Sequence, residues 1–460
     1  MRVGVAAGHP STAAAGAEIL EAGGSAVDAA VAMMLVGCAA ETIFTGLSGG
    51  GFATCYDAAT GEVHCVDFFV AVPGLDGTSP GAGRAIEVTF VGQAMPYEIG
   101  PATVAVPGVP AGAHHLWQRY GRLPWADVVA PGLAASYGTP FPQTHAVLLP
   151  VIAPAMCVGE GLQVYARPDG SLLQAGDRLW HPDHHRAYEL LAADPAAFYT
   201  GTYADALVAA VADGGAISRD DLAAYAVREH QPRAAGFAGG TVHARGDDLD
   251  DLLATLQRVD RLVPGDPHTD PASALGLVAA LRAPDRRAET TNVVAVDAQG
   301  NGCALTTSLG LGSGVWVPGY GVHLNSMLGE GELIRGALQP GVRMGSMMSP
   351  LAVLDAERRL VAVAGGAGGS RIRPALVQVL VQILRGVPPQ QAIDGPRLNA
   401  LPAMVRAEPG FAPEVLTALA AAGNEVAVAE RRDPYFGGVS ALSPLGGGAD
   451  PRRSGAVILL

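Results

Sequence analysis

Thr290-Thr291 stands directly before the strand-like run Asn292-Val293-Val294-Ala295-Val296-Asp297, far from either terminus. If the Glu289–Thr290 bond breaks, Thr290 gains a free α-amine beside its own hydroxyl, so one residue holds both nucleophile and base. An α-amine titrates near ~8, so a useful fraction is neutral at pH 7 and accepts a proton. Thr291 and Asn292 would flank the reacting atom and are candidates for positioning substrate. The other reading of the pair is an ordinary strand entry with capping hydroxyls. Two further clusters do less. His181-Pro182-Asp183-His184-His185 has Pro182 inside it and no ligand set elsewhere, so it reads as a solvated loop or helix start, and no metal is expected. Asp247 to Asp251 lacks the calcium-loop pattern and reads as a solvated face.

The elements that must position Thr290 are legible around it. Ser11 to Val36 is helical, with Gly23-Gly24 stopping one helix and Ser25-Ala26-Val27-Asp28 starting the next. The glycines of Ser48-Gly49-Gly50-Gly51 lead into a strand, Phe52 to Tyr56, that turns over Asp57 to Glu62 into Val63 to Val70. Trp117 to Tyr225 reads mainly helical. His230 to Arg287 is polar and interrupted by Pro264, Pro267, Pro271 and Pro284, so it reads as an irregular, mobile connection. After Thr290, strands are expected at Val293 to Val296, Cys303 to Ser308, Leu351 to Leu354, Val361 to Val363, Glu425 to Val428 and Ala456 to Leu460. Helices are expected at Ile372 to Leu384 and Pro413 to Ala422. This segregation suits stacked sheets between helical layers.

Composition narrows the partners. Of 460 residues, 49% are hydrophobic and 16% charged, enough for a substantial core. The balance of 29 basic against 43 acidic residues, formal charge −14, offers no basic stripe for nucleic acid. No lysine occurs, which we read as compositional bias, and no Gly-Lys-Ser/Thr phosphate loop is present. Five cysteines, an odd count without a C-x-x-C pair, support neither a disulfide framework nor a zinc ribbon, and Cys38 and Cys303 read as core thiols. Without an apolar signal core at the start or a run of about 18 apolar residues, a cytoplasmic protein without membrane association is expected.

Taken together, the motifs resemble the gamma-glutamyltranspeptidase family of N-terminal-nucleophile hydrolases. They run in that family's order: Gly23-Gly24-Ser25-Ala26-Val27-Asp28-Ala29-Ala30, Thr45-Gly46-Leu47-Ser48-Gly49-Gly50-Gly51-Phe52, Val106-Pro107-Gly108, Tyr120-Gly121-Arg122-Leu123-Pro124-Trp125 and Phe198-Tyr199-Thr200-Gly201. Met347-Met348-Ser349-Pro350, Gly365-Gly366-Ala367-Gly368-Gly369-Ser370 and Asp450-Pro451-Arg452-Arg453-Ser454-Gly455 complete the set. The resemblance is weakest over 240 to 285. It implies an α+β fold, a four-layer αββα sandwich, and autocleavage of one precursor into a large subunit, 1–289, and a small one, 290–460, that stay in one compact domain. It places an oxyanion hole at the backbone amides of Gly368 and Gly369, where successive glycines leave N–H groups unobstructed. It also gives Ser308 the position whose hydroxyl bonds the nucleophile. No cofactor is implied, and the partner is a small-molecule substrate.

The departures concern recognition. Family members that take γ-glutamyl groups hold the substrate carboxylate with an Arg in a D-F-R-E-like segment, and here Asp67-Phe68-Phe69-Val70 puts Phe69 at that position. A phenyl ring does not replace a guanidinium fork. Leu324-Asn325-Ser326-Met327 lacks the family's Asp, with Glu330 beyond it, Gly310 stands where an Asn is usual, and the Ser-Ser pair reads Gly345-Ser346. Phe69, Asn325, Arg343 and Ser346 are therefore the remaining candidates for substrate contact, Arg343 as a carboxylate partner or as one half of an ion pair. A self-processing threonine hydrolase for a small acyl group other than γ-glutamyl is expected. Relatives in antibiotic-precursor biosynthesis that cleave a carbon–carbon bond beside a carbonyl point to secondary metabolism. The rivals are a genuine γ-glutamyl hydrolase or transpeptidase and an unprocessed scaffold.

Overall fold

In the computed structural model, which describes residues 1–90, 93–282, 290–334 and 336–460, the two runs after Thr290 form a hairpin. Thr291–Val296 pairs antiparallel with Gly302–Ser308, Asn292 opposite Thr306 and Val294 opposite Ala304. Their alternating side chains need cover on both faces, and the chain supplies it from both sides of Thr290. On one edge of the hairpin lie Gly4–Ala7 and then Ala456–Leu459; on the other lie Gly50–Asp57, Glu62–Asp67 and Arg228–His230, giving a seven-stranded antiparallel sheet among the described residues. A second, six-stranded antiparallel sheet runs Gly446–Ala449, Gly438–Ser443, Leu360–Ala367, Leu351–Leu354, Gly240–Ala244, Arg233–Phe237.

Period-two alternation sorts the core. Val293, Ala295, Cys303 and Leu305 face the helices Pro10–Glu21 and Ala26–Ala40 in one apolar cluster. Val294, Val296 and Ala304 face the other way and share a cluster with Ala352, Leu354, Val363 and Leu442 of the second sheet. That sheet's remaining side chains, Val353, Ala362, Ala364 and Ala441, pack with the helices Leu252–Leu262, Pro271–Leu281 and Ile372–Leu384. Helix Ala26–Ala40 is buried along its whole length, consistent with its lack of a polar face. It starts at a capping box in which Ser25 and Asp28 satisfy each other's backbone N–H. All five cysteines are free thiols; Cys38 and Cys303 are buried, and burial pushes the Cys38 thiol up to about 12. No helix among the described residues is long and apolar enough to cross a membrane.

Three expectations are corrected. The stretch from His230 is not irregular: it holds Arg233–Phe237, Gly240–Ala244, Leu252–Leu262 and Pro271–Leu281. Pro271 begins its helix instead of breaking one, since the first helical N–H needs no partner and Asp270 caps the turn. The acidic run is not a solvated face. Asp248 and Asp250 are buried, Asp248 accepts the N–H groups of Asp250 and Leu252, and Asp251 caps the helix that follows. The histidine cluster is partly core: His181 and His184 are buried with rings stacked 4.9 Å apart. Burial lowers the His181 pKa to about 4 and holds His184 well below its usual value. Both are packed neutral imidazoles, and no group of three metal-ligating side chains exists among the described residues.

Candidate active site

Thr290 enters the first sheet as a 2% exposed residue at the head of Thr291–Val296. Alternation puts its side chain on the face of Asn292 and Val294, toward the second sheet, and Thr291 on the opposite face. One cavity of about 230 Å³ is lined by Thr290, Ser308, Ser346, Gly369 and Phe69 together with Met327, Leu333, Met347, Met348 and Ile372. Sequence-distant candidates therefore converge on one space. Ser308 ends the strand paired with the Thr291 strand, and its Oγ accepts the Gly310 N–H at 3.0 Å. Ser346 Oγ accepts the Met348 N–H at 3.1 Å. Glu289, the other half of the expected scissile bond, lies outside the described residues.

The glycines arrive from the second sheet. Leu360–Ala367 ends, Gly368 and Gly369 take φ of +115° and +61°, and a short turn Gly369–Arg371 opens the helix Ile372–Leu384. Two successive left-handed residues strain any side-chain-bearing residue, so the local conformation itself calls for glycine. The helix directs the positive end of its dipole back at this turn, where negative charge is stabilised.

A second cavity, of about 280 Å³, touches Thr290 from the other side. It is lined by Gly8, Glu41, Phe44, Thr291, Asn292, Ser440, Asp450 and Arg453, among others. Glu41 is 1% exposed and holds two hydroxyls: Thr291 Oγ1 donates to its Oε2 at 2.6 Å and Thr12 Oγ1 to its Oε1 at 2.8 Å. Asn292 Oδ1 accepts from Thr306 Oγ1 at 3.0 Å and lies over Gly365, where any Cβ would collide with it. Thr291 and Asn292 thus fasten the strand behind Thr290.

Two candidates go elsewhere. Asn325 has both amide hydrogens on backbone carbonyls, Ser48 and Ala105 at 2.8 Å, and its oxygen accepts from Ala105 and Met327 N–H. It ties loops together and does not line the Thr290 cavities. Arg343 pairs with Asp67, Nε to Oδ1 at 3.3 Å, lies 4.3 Å over the Tyr225 ring and donates to the Ala226 carbonyl. Of its two expected readings, the ion pair is the one the geometry carries. Gly310 has φ +72°, and the space a side chain would need there is taken by Ser326 Oγ and the buried Glu330 carboxylate. Sequence reasoning passed over Glu41, and it quoted the methionines 327, 347 and 348 within motifs without placing them at the site. A lone carboxylate inside the apolar run Ala39 to Phe44 was the available signal for Glu41, because such a group requires partners.

Comparison with known proteins follows this geometry. The gamma-glutamyltranspeptidase family model matches residues 12–248 and 254–460. The Acylase ACY 1 proenzyme of Pseudomonas sp. (strain SE83) is 27% identical, with 95% of this chain and 89% of its own length aligned. The glutathione hydrolase proenzyme of Pseudomonas aeruginosa is 28% identical over 82% of this chain and 79% of its own. The cephalosporin acylase from Bacillus halodurans shares the fold, with a TM-score of 0.77 at 23% identity over 99% of this chain and 96% of that one.

Proposed function

The chain belongs to the gamma-glutamyltranspeptidase family, and from that premise we propose that it is a self-processing threonine hydrolase acting on an amide of a small acyl group other than γ-glutamyl. The observation that carries this reading is the single cavity shared by Thr290, Ser308 and Gly369 with Phe69 on its wall. The proenzyme names of the acylase and glutathione hydrolase relatives support one processed precursor, and the fragments of our reading are 1–289 and 290–460. Each sheet contains strands of both fragments, so cleavage would leave one body, read here as a four-layer αββα stack.

In maturation, Thr290 Oγ attacks the Glu289 carbonyl, the C–N bond breaks as the Oγ proton passes to the nitrogen and frees the Thr290 α-amine, and water then hydrolyses the resulting ester to release the Glu289 carboxylate and restore the Thr290 hydroxyl. In turnover, the α-amine takes the Oγ proton as Oγ attacks the substrate carbonyl. The Gly368 and Gly369 N–H groups hold the tetrahedral oxyanion; a single such donor is worth roughly a hundred- to a thousandfold in rate. The proton passes to the departing amine, and water then releases the acyl group. Ser308 orients the nucleophile hydroxyl. The absence of an Arg at Phe69 supports an acyl group other than γ-glutamyl: truncating one partner of a buried hydrogen-bonded charge pair costs about 2–5 kcal/mol.

The test is the mass of the denatured protein. Two fragments meeting at Glu289–Thr290 are expected, and Thr290→Ala yields one chain. A wild-type chain that stays whole sinks the catalytic reading and leaves the scaffold.

A further inference from the structure

The wall opposite Thr290 indicates what acyl group the cavity admits. Besides Ser308 and Ser346 it is lined by Phe69, Met327, Leu333, Met347, Met348 and Ile372, and none of the described residues on the wall carries a cationic side chain. Two guanidinium groups pack behind this wall, and both are turned away to carboxylates. Arg343 pairs with Asp67 at 3.3 Å. Arg245 pairs with Asp247 at 2.6 Å, stacks 3.6 Å over the Phe52 ring and donates to the Met348 carbonyl.

These same groups hold Phe69 still. Asp67 Oδ1 accepts the Phe69 N–H at 2.8 Å, and the Tyr225 hydroxyl donates to the Phe69 carbonyl at 2.8 Å. Arg343 joins the two by pairing with Asp67 and stacking on Tyr225. The Phe69 ring lies 5.3 Å from Phe52. Near Ser308, the buried Glu330 carboxyl occupies the place of a side chain at Gly310. The space is small, about 230 Å³ with the part open to solvent counted in. Three thioethers, unbranched and polarizable, adapt to irregular apolar shapes better than branched side chains.

From these observations we infer that the acyl side of the Thr290 site takes a short, uncharged, apolar acyl group and rejects one that ends in a carboxylate. Arg343 is a positioning residue that keeps Phe69 in the wall. This deepens, and rests on, the reading of Thr290 as nucleophile. A charged tail entering the cavity would lose its hydration without gaining a counter-ion, a loss that short apolar groups do not incur.

Two measurements on the full-length protein test it. Saturation-transfer NMR ranks binding of butyramide, 3-methylbutyramide and phenylacetamide against glutaramate, whether or not Thr290 reacts. In parallel, p-nitrophenyl butyrate and mono-p-nitrophenyl glutarate are compared for mass labelling of the fragment that starts at Thr290. The neutral amides are expected to bind at least tenfold tighter and the butyrate ester to label at least tenfold faster. Phe69→Arg should move both ratios toward the glutaryl compounds by tenfold or more. Arg343→Met should move both ratios in the same direction by a smaller factor. Glutaramate binding as tightly as the neutral amides overturns the inference, whatever the variants do. A chain that stays whole and takes no label, yet ranks the amides as expected, fails the nucleophile reading and keeps the pocket assignment.

Discussion

The two sides of Thr290 differ in what lines them. Toward Gly302–Ser308 the neighbours are mostly apolar, a phenylalanine, three methionines, Leu333 and Ile372, with Ser308 and Ser346 between them. Toward Gly4–Ala7 they are Glu41, Thr291, Asn292, Asp450 and Arg453, several of them in hydrogen bonds with defined partners. The apolar side can rearrange at modest cost because dispersion contacts are individually weak and undirected. The polar side cannot, since each buried group moved from its partner loses a hydrogen bond without regaining water. In the proposed function, recognition falls to the first side and fastening of the Thr290 strand to the second.

The harshest way to break this arrangement is to remove the atom both sides serve. Thr290→Ala should leave the chain uncleaved and lower acyl-transfer or hydrolysis rates by about a thousandfold or more, read by mass spectrometry and steady-state kinetics. Next is acid, which attacks the buried imidazoles near the polar side. His181 bonds Thr42, next to Glu41, at 3.1 Å, and burial lowers its pKa to about 4. His9 and His145 are likewise lowered, burial being the main cause. The folded chain keeps His181 neutral while the unfolded chain binds a proton near 6.5. Stability is therefore full above pH 6.5 and falls as the pH drops toward 4, by about 3 kcal/mol from His181 alone. Denaturant melts across that range check the slope, and a His181→Gln variant should flatten it.

A smaller effect is expected from Glu41→Gln. The shape is kept, but one of the hydroxyls of Thr12 and Thr291 then faces an amide N–H₂ instead of an acceptor. A loss of about 1–2 kcal/mol in unfolding free energy is expected, with the ranking of acyl groups unchanged. A changed ranking would mean that the polar side takes part in recognition and would dissolve the comparison. The most local probe is Ser308→Ala, expected to lower kcat by about ten- to a hundredfold with KM nearly constant, since the role proposed for its hydroxyl is on the nucleophile and not on the bound group. A raised KM with constant kcat would move Ser308 to the recognition side.

Much of the framework was legible from local chemistry. The helix expected from Ile372 to Leu384 is found over those residues, and the hairpin from Phe52 to Val70 is found as Gly50–Asp57 with Glu62–Asp67. Helix periods, glycine stops and strand alternation depend on residues within a few positions of one another. The prolines from 264 to 271 misled because proline carries opposite meanings inside a helix and at its first position, and only the Asp270 cap distinguishes them. Asp248 and His181 misled because polar residues were assigned to solvent by type, whereas Asp248 is held by the N–H groups at the start of the helix it precedes and His181 bonds the distant Gly321 carbonyl.

By itself the sequence determined that a threonine precedes a buried strand, that a paired glycine precedes a helix, and that position 69 carries a ring and no charge. Only the tertiary structure decided that Phe69 and Gly369 share a cavity with Thr290, that Arg343 turns to Asp67, and that Glu41 reaches the hydroxyl of Thr291 across 250 positions of chain. The reason is physical. A residue's type fixes which interactions it can make, and the packing of distant segments fixes which of them it does make.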